Sequence, residues 1–183
     1  MTISPIQTFY DGYFFKSRAE ARWAVFFNTL RIPYEYEKEG YRLPSGQFYL
    51  PDFWLPNQDC WLEVKPQYPT DKEIAKLALV GEGTNKRAFI TFGMMPYPPD
   101  PNGYDNSYGF MIQVAPCWDN FYIFCECPEC HVIDIEYSGR SARVKHKSNC
   151  HIRELPTVHP DKIYNFDTPL FRQATFEARN YKF

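Results

Sequence analysis

The chain has 183 residues, a length that suits one domain with a small appendage and excludes two large ones. Its composition, 44% hydrophobic and 23% charged, excludes disorder throughout, while 16 prolines argue against long uninterrupted helices and 19% aromatic residues can fill a core and still leave rings near the surface. The formal net charge of -2 excludes a uniformly basic nucleic-acid binder, so any polyanion has to be met locally.

From Met1 to Lys16 the chain lacks an apolar signal core, and no run approaches the roughly 18 apolar residues of a membrane span, so a cytoplasmic protein with no membrane partner is expected. In that reducing compartment the six cysteines are expected as thiols or metal ligands. Ala19, Trp23, Phe26, Phe27 and Leu30 recur at helical spacing and predict a helix from Ser17 to about Ile32, stopped by Pro33. Tyr34 to Glu39 alternates rings with Glu35, Glu37 and Glu39, the pattern of a half-buried strand. Further strands are expected over Phe48 to Leu55 and Cys60 to Lys65, separated by a turn at Pro56 and Asn57. Thr70, with Glu73 three residues on, forms a capping box for a second helix that carries Ile74, Leu77 and Ala78 and ends at Gly81. Arg87 to Phe92 is the next strand, and the Pro-rich stretch Met94 to Tyr108 an irregular loop; strands resume from Phe110 to Phe124. Thr168 caps a last helix, with Pro169 in its first turn and Leu170, Ala174, Ala178 and Tyr181 along one face. The order of elements predicts an α/β (α+β) fold, a small mixed sheet flanked by helices.

The stretch that carries chemistry is Pro51-Asp52 followed by Glu63-Val64-Lys65. On a strand, period two puts Glu63 and Lys65 on one face and sends Leu62 and Val64 into the core. Two carboxylates can hold Mg²⁺ while waters complete its octahedron, and a neighbouring lysine can orient or help deprotonate a bound water. Acid, acid and lysine together suit metal-dependent phosphodiester hydrolysis.

These residues resemble the signature of the PD-(D/E)XK nuclease superfamily. The run Phe15 to Ala24, then Tyr34-Glu35-Tyr36-Glu37, then Tyr49-Leu50-Pro51-Asp52-Phe53, is similar to small nuclease-like proteins of phages and bacteria, over about residues 10 to 80. The resemblance implies a restriction-endonuclease-like αβββαβ core, Mg²⁺ or Mn²⁺ dependence, DNA as substrate, and a bacterial or phage-infected cell. It also implies an acid from the first helix. Glu20 fits that place, yet Ser17 and Glu20 have capping-box spacing, and one carboxylate geometry cannot serve both roles. Gln67 lies on the same face as Lys65 but follows Pro66; Arg22 and Tyr68 are candidate phosphate contacts, for which solvated surface is the preferred reading.

Cys127 and Cys130 are followed, after fifteen intervening residues, by His146 and Cys150, a spacing that suits a tetrahedral zinc site closed by a hairpin. Thiolates select zinc over magnesium, so this structural site should be distinct from the carboxylate one. Cys125, His131 and His151 are rival ligands; Cys60 and Cys117 stand alone as core thiols. Arg140, Arg143, Lys145, Lys147 and Arg153, with no acid among them, form either a cation patch for backbone phosphates or a solvated loop.

The expected organisation is a nuclease core over residues 1–116, a zinc-binding basic module over 117–158, and a C-terminal helix over 159–183 packing back on the body. The expected function is a divalent-metal-dependent DNA endonuclease, with catalytic Glu20, Asp52, Glu63 and Lys65 and with structural Zn²⁺. Double-strand cleavage by one site per chain would favour a homodimer. A non-cleaving DNA-binding module with the same fold, or a phage factor that binds a host protein, are the other readings.

Overall fold

The computed structural model describes residues 5–93, 111–116, 119–137, 147–150 and 168–183. In chain order these residues form β1 (Thr8–Tyr10), β2 (Tyr13–Phe15), α1 (Arg18–Thr29), β3 (Glu35–Tyr36), β4 (Tyr41–Arg42), β5 (Phe48–Tyr49), β6 (Phe53–Leu55), β7 (Cys60–Lys65), α2 (Asp71–Thr84), β8 (Arg87–Phe92), β9 (Met111–Ala115), β10 (Asp119–Glu126), β11 (Ile133–Tyr137) and α3 (Pro169–Asn180). Seven strands make one mixed sheet in the order β11-β10-β9-β8-β7-β6-β3, with the hairpins β1-β2 and β4-β5 beside it. Strand β8 runs parallel to β7, because α2 crosses between them and returns the chain to the same end of the sheet.

Alternation along β7 divides the interior into two cores. Cys60, Leu62 and Val64 join α1, Phe53, Phe89 and the α3 residue Phe171 on one face, while Trp61 joins Leu77 and Val80 of α2 with Ile90 and Ile112 on the other. Phe27 is fully buried, its ring 5.4 Å from that of Phe53. A large-to-small change at such a position costs about 3–5 kcal/mol.

Helix α1 stops earlier than Pro33 requires. Arg31 takes a left-handed φ of 56°, and the Arg31 and Ile32 N–H groups donate to the Asn28 and Phe27 carbonyls at 3.1 and 2.8 Å. This Schellman closure ends the helix before the proline is reached. Helix α2 instead runs past Gly81, and the left-handed Asn85 caps it. A Cβ on Gly81 would lie 2.4 Å from the Cβ of Ala115, so this glycine serves the close approach of α2 to the sheet, not its termination.

Strand expectations also divide. The stretch Phe48 to Leu55 breaks around Pro51, so that β5 pairs with β4 while β6 enters the main sheet. The strand expected over Tyr34 to Glu39 shortens to two residues, because Glu37 adopts a φ of 46°. The run Phe110 to Phe124 contains two strands, β9 and β10, and the β1-β2 hairpin precedes any element expected from the sequence. The Met94 to Tyr108 loop lies outside the described residues.

Within the segment 117–158, strands β10 and β11 continue the main sheet. Arg87 of β8 ties that end down: its guanidinium donates to the Ile135 and Gln58 carbonyls at 2.9 and 2.8 Å and meets Asp134 at 2.9 Å. Asp134 and Glu136 lie beside it, so burial works against the Arg87 charge but their carboxylates hold its pKa above the ordinary value. Helix α3 lies against α1, where Thr29 donates to Glu177 at 2.9 Å.

Candidate functional site

Phe53 faces Leu62 across the antiparallel β6–β7 pair, and the same register places Asp52 opposite Glu63. Both carboxylates are buried, at 7% and 3% exposure. Backbone amides hold them: Val64 N–H donates to Asp52 Oδ2 at 2.8 Å, and Asp52 N–H donates to Glu63 Oε2 at 3.2 Å. Period two then brings Lys65 onto the Glu63 face, with its Nζ 2.6 Å from Glu63 Oε1 and 3.6 Å from Glu73 Oε1. Asp52, Glu63 and Lys65 are therefore brought together.

Burial pushes the Asp52 carboxyl well above its ordinary value, and the Glu63 and Glu20 charges push it further. Burial works against the Lys65 charge, but the carboxylates of Glu63, Asp52 and Glu73 outweigh it and raise its pKa. Lys65 is thus a charged donor at neutral pH.

Glu20 sits at the start of α1 with both oxygens engaged. Oε1 accepts from Ser17 Oγ at 2.6 Å; Oε2 accepts from the Tyr36 hydroxyl at 2.5 Å and from Lys16 N–H at 3.0 Å. Ser17 Oγ in turn accepts from Glu20 N–H at 3.2 Å, so the pair caps the helix, although the carboxylate reaches the amide one residue before the cap. Among the described residues Glu20 does not join Asp52 and Glu63 in a donor set with every ligand atom within 4.8 Å of the others. Its oxygens are taken up by Ser17, Tyr36 and Lys16, while its charge still acts on Asp52.

Three residues at this site were not singled out from the sequence. Glu73 completes the capping box at Thr70 and also approaches Lys65. Lys16 pairs with Glu37, and that bond, with the Asp52 and Glu20 charges behind it, raises its pKa against the effect of burial. The Tyr49 hydroxyl oxygen is buried beside the acids, and burial followed by the Glu63 and Asp52 charges pushes its pKa up. Tyr49 lies three residues before Asp52, and Glu73 is marked in the sequence only as the capping-box partner of Thr70; neither pattern assigns them to the site. Gln67 is exposed, and Tyr68 is exposed with its ring 5.0 Å from that of Phe92. Arg22 has a buried Nε with no hydrogen-bond partner among the described residues.

The sulfurs of Cys127, Cys130 and Cys150 lie within 4.8 Å of one another, all three buried. The Cys127–Cys150 separation is 3.7 Å, close to the roughly 3.8 Å that tetrahedral geometry and a 2.3 Å metal–sulfur bond imply. Two tight turns present them. His131 N–H donates to the Cys127 carbonyl at 3.0 Å with His131 at φ 55°, and Cys150 N–H donates to the Lys147 carbonyl at 3.0 Å. Three converging thiols can hold a soft metal such as zinc, and no disulfide joins the described cysteines.

The rivals divide. Cys125 is buried outside this group, where burial and the Glu136 and Asp134 charges raise its thiol pKa; His131 is exposed and bonded to Glu126 at 2.7 Å. His146 and His151 lie outside the described residues, as do Cys117, Arg140, Arg143, Lys145 and Arg153. Lys147 is exposed. Cys127 N–H bonds the Val132 carbonyl, and Gln58 bonds the next carbonyl, Ile133, at 2.8 Å. The cysteine turn therefore adjoins the β6–β7 turn, at the end of β7 opposite to Lys65. Compared with family models, with curated proteins and with solved structures, the chain matches none.

Proposed function

We propose that the protein is a divalent-metal-dependent DNA endonuclease of the PD-(D/E)XK kind, acting at the β6–β7 acid pair. The observation that carries this reading is the buried opposition of Asp52 and Glu63 with the Lys65 ammonium 2.6 Å from Glu63. Like charges facing each other across a strand pair destabilise a sheet, and burial makes the repulsion worse. A cation-binding role gives that arrangement a reason. The succession α1, β3, β6, β7, α2, β8 also agrees with the αβββαβ core of that superfamily.

Asp52 and Glu63 would hold Mg²⁺ or Mn²⁺, which when bound supplies activation of water and stabilisation of charge on the phosphate. Tyr49, buried beside these acids, adds a hydroxyl to the lining of the site. Lys65, charged and held by Glu63 and Glu73, orients the attacking water and balances the phosphate. Glu20 braces Lys16 and Tyr36 next to Asp52 and assists as a positioning residue. Cys127, Cys130 and Cys150 would hold structural Zn²⁺ with His146 as fourth ligand, away from the reaction.

The test is cleavage of branched, nicked, linear and single-stranded DNA with Mg²⁺ or Mn²⁺. Cleavage by the wild-type protein that is absent with EDTA and absent in Lys65→Ala is the expected result. Metal-independent binding with no nicking of any substrate would instead favour a non-cleaving DNA-binding module.

A further inference from the structure

We infer that the β1-β2 hairpin is a nucleotide-binding arm that stacks an unpaired base on Phe9 and Phe14 and sets its phosphate beside Lys16. This deepens the nuclease reading and rests on it, by naming DNA with unpaired bases near the scissile bond as the substrate class. Phe9 and Phe14 are cross-strand partners with ring centroids 4.9 Å apart. Holding each other would explain their pairing, but both are mostly exposed, at 60% and 74%. Two adjacent rings in water form a patch that a hairpin does not need for its own stability.

Charge identifies the occupant. Along β2 and its continuation, exposure alternates: Phe14 outward, Phe15 fully buried, Lys16 outward. Phe14 and Lys16 therefore share one side, about 7 Å apart by strand rise. Lys16 reaches Glu37, and the Asp52 charge acts on it, so this end of the hairpin borders the acid pair. Arg18, exposed, follows at the start of α1, and the one acid near it in this stretch, Glu20, is buried and engaged; Arg22, one turn on, is half-buried with its Nε enclosed. Exposed rings followed along the chain by the exposed Lys16 and Arg18 match a polymer of flat bases and phosphates, since stacking on aromatic side chains tolerates any base and cations track the backbone.

The arm is held in place from behind. Tyr10 packs on Tyr181 and Phe183 at 5.1 and 6.1 Å, and Asp11 at the turn accepts from Tyr34 and Asn28 at 2.7 and 3.0 Å. The outward rings are therefore presented on a fixed scaffold, which lowers the ordering needed on binding.

The test is binding of a short single-stranded oligodeoxynucleotide carrying a fluorescent base analogue, and of a fully paired duplex, to the full chain in EDTA. The proposal expects quenching of the analogue and an affinity for the single strand that falls about tenfold or more in Phe9→Leu/Phe14→Leu, with duplex affinity little changed. Phe9→Tyr/Phe14→Tyr should keep the wild-type affinity, and circular dichroism of both variants should match the wild type. Equal loss on duplex and single strand, no loss at all, or binding of an acidic polypeptide in preference to DNA would overturn it. Because no divalent cation is present, these readings are independent of cleavage. Binding with no hydrolysis in Mg²⁺ would refute the nuclease reading alone; hydrolysis unaffected by loss of the rings would refute the arm alone.

Discussion

Asp52 and Glu63 face each other where β6 and β7 pair, and each accepts from a backbone amide of the other's segment: Val64 N–H to Asp52 at 2.8 Å, Asp52 N–H to Glu63 at 3.2 Å. Neither carboxylate can swing away, so their repulsion is built into the fold. A carboxyl whose folded pKa lies above its unfolded one contributes stability when protonated, and that contribution is lost as pH rises through the folded value. Asp52 is such a group. In EDTA, Asp52→Asn should therefore melt about 2–4 °C above the wild type near pH 8, on the order of 1 kcal/mol, and the gap should close near pH 4. Thermal melts at both values decide it; a variant less stable than wild type at the higher pH would show the carboxylate to be a net stabiliser.

Lys65→Ala should reduce DNA cleavage at least a hundredfold, roughly the effect of removing one pre-set charged donor from a reacting phosphate. Its circular dichroism should be unchanged. Lys65→Arg should not restore full activity, because a planar guanidinium cannot occupy the position of a compact ammonium between Glu63 and Glu73. Steady-state cleavage of a plasmid by the three proteins measures both effects, and retained activity in the alanine variant rejects the assignment.

Metal analysis of purified protein should find about one zinc per chain. Cys127→Ser and Cys150→Ser should each lose it, whereas Cys125→Ser should keep it, since the Cys125 sulfur stands outside the convergent group. Hydrogen exchange after chelation should open β10 and β11 before β7 and β8, because ligands on turns lose their crosslink when the metal leaves. Zinc retained by Cys127→Ser would remove that residue from the ligand set.

Gly81→Ala should destabilise the protein by about 1–3 kcal/mol, although alanine is the better helix former, because the added methyl meets Ala115 at 2.4 Å. In an Ala115→Gly background most of that loss should disappear. Denaturant melts of the two single variants and the double variant give the coupling directly.

Much of the fold was legible where a local rule and a tertiary need agree. Thr70 with Glu73, Thr168 before Pro169, and the apolar stripe of α1 all appear where the sequence places them. Gly81 misled because close packing and helix termination call for the same residue, and only its neighbours, Ala115 with Ala88 and the Lys86 carbonyl behind it, distinguish them. Phe48 to Leu55 misled because an apolar-rich run does not say which sheet each half will join. At the site, Glu63 and Lys65 were legible since strand periodicity puts them on one side, and Asp52 through the Pro51-Asp52 pair that resembles the nuclease signature. Tyr49 and Glu73 were not: a tyrosine in a strand pattern and a glutamate in a capping box each have a structural reading that hides their approach to the acids and Lys65.

The contact of α3 with α1 spans most of the chain: Thr29 meets Glu177, separated by 148 residues. During synthesis at 5 to 20 residues per second, the outer flank of α1 would wait about 7 to 30 s for the helix that covers it. Throughout that interval Phe26 and its neighbours would lack the cover that Phe171 and Ala174 help supply to the same core. A nascent chain of this protein should be a client of hydrophobic-binding chaperones at the ribosome, and released chains truncated before Pro169 should be poorly soluble.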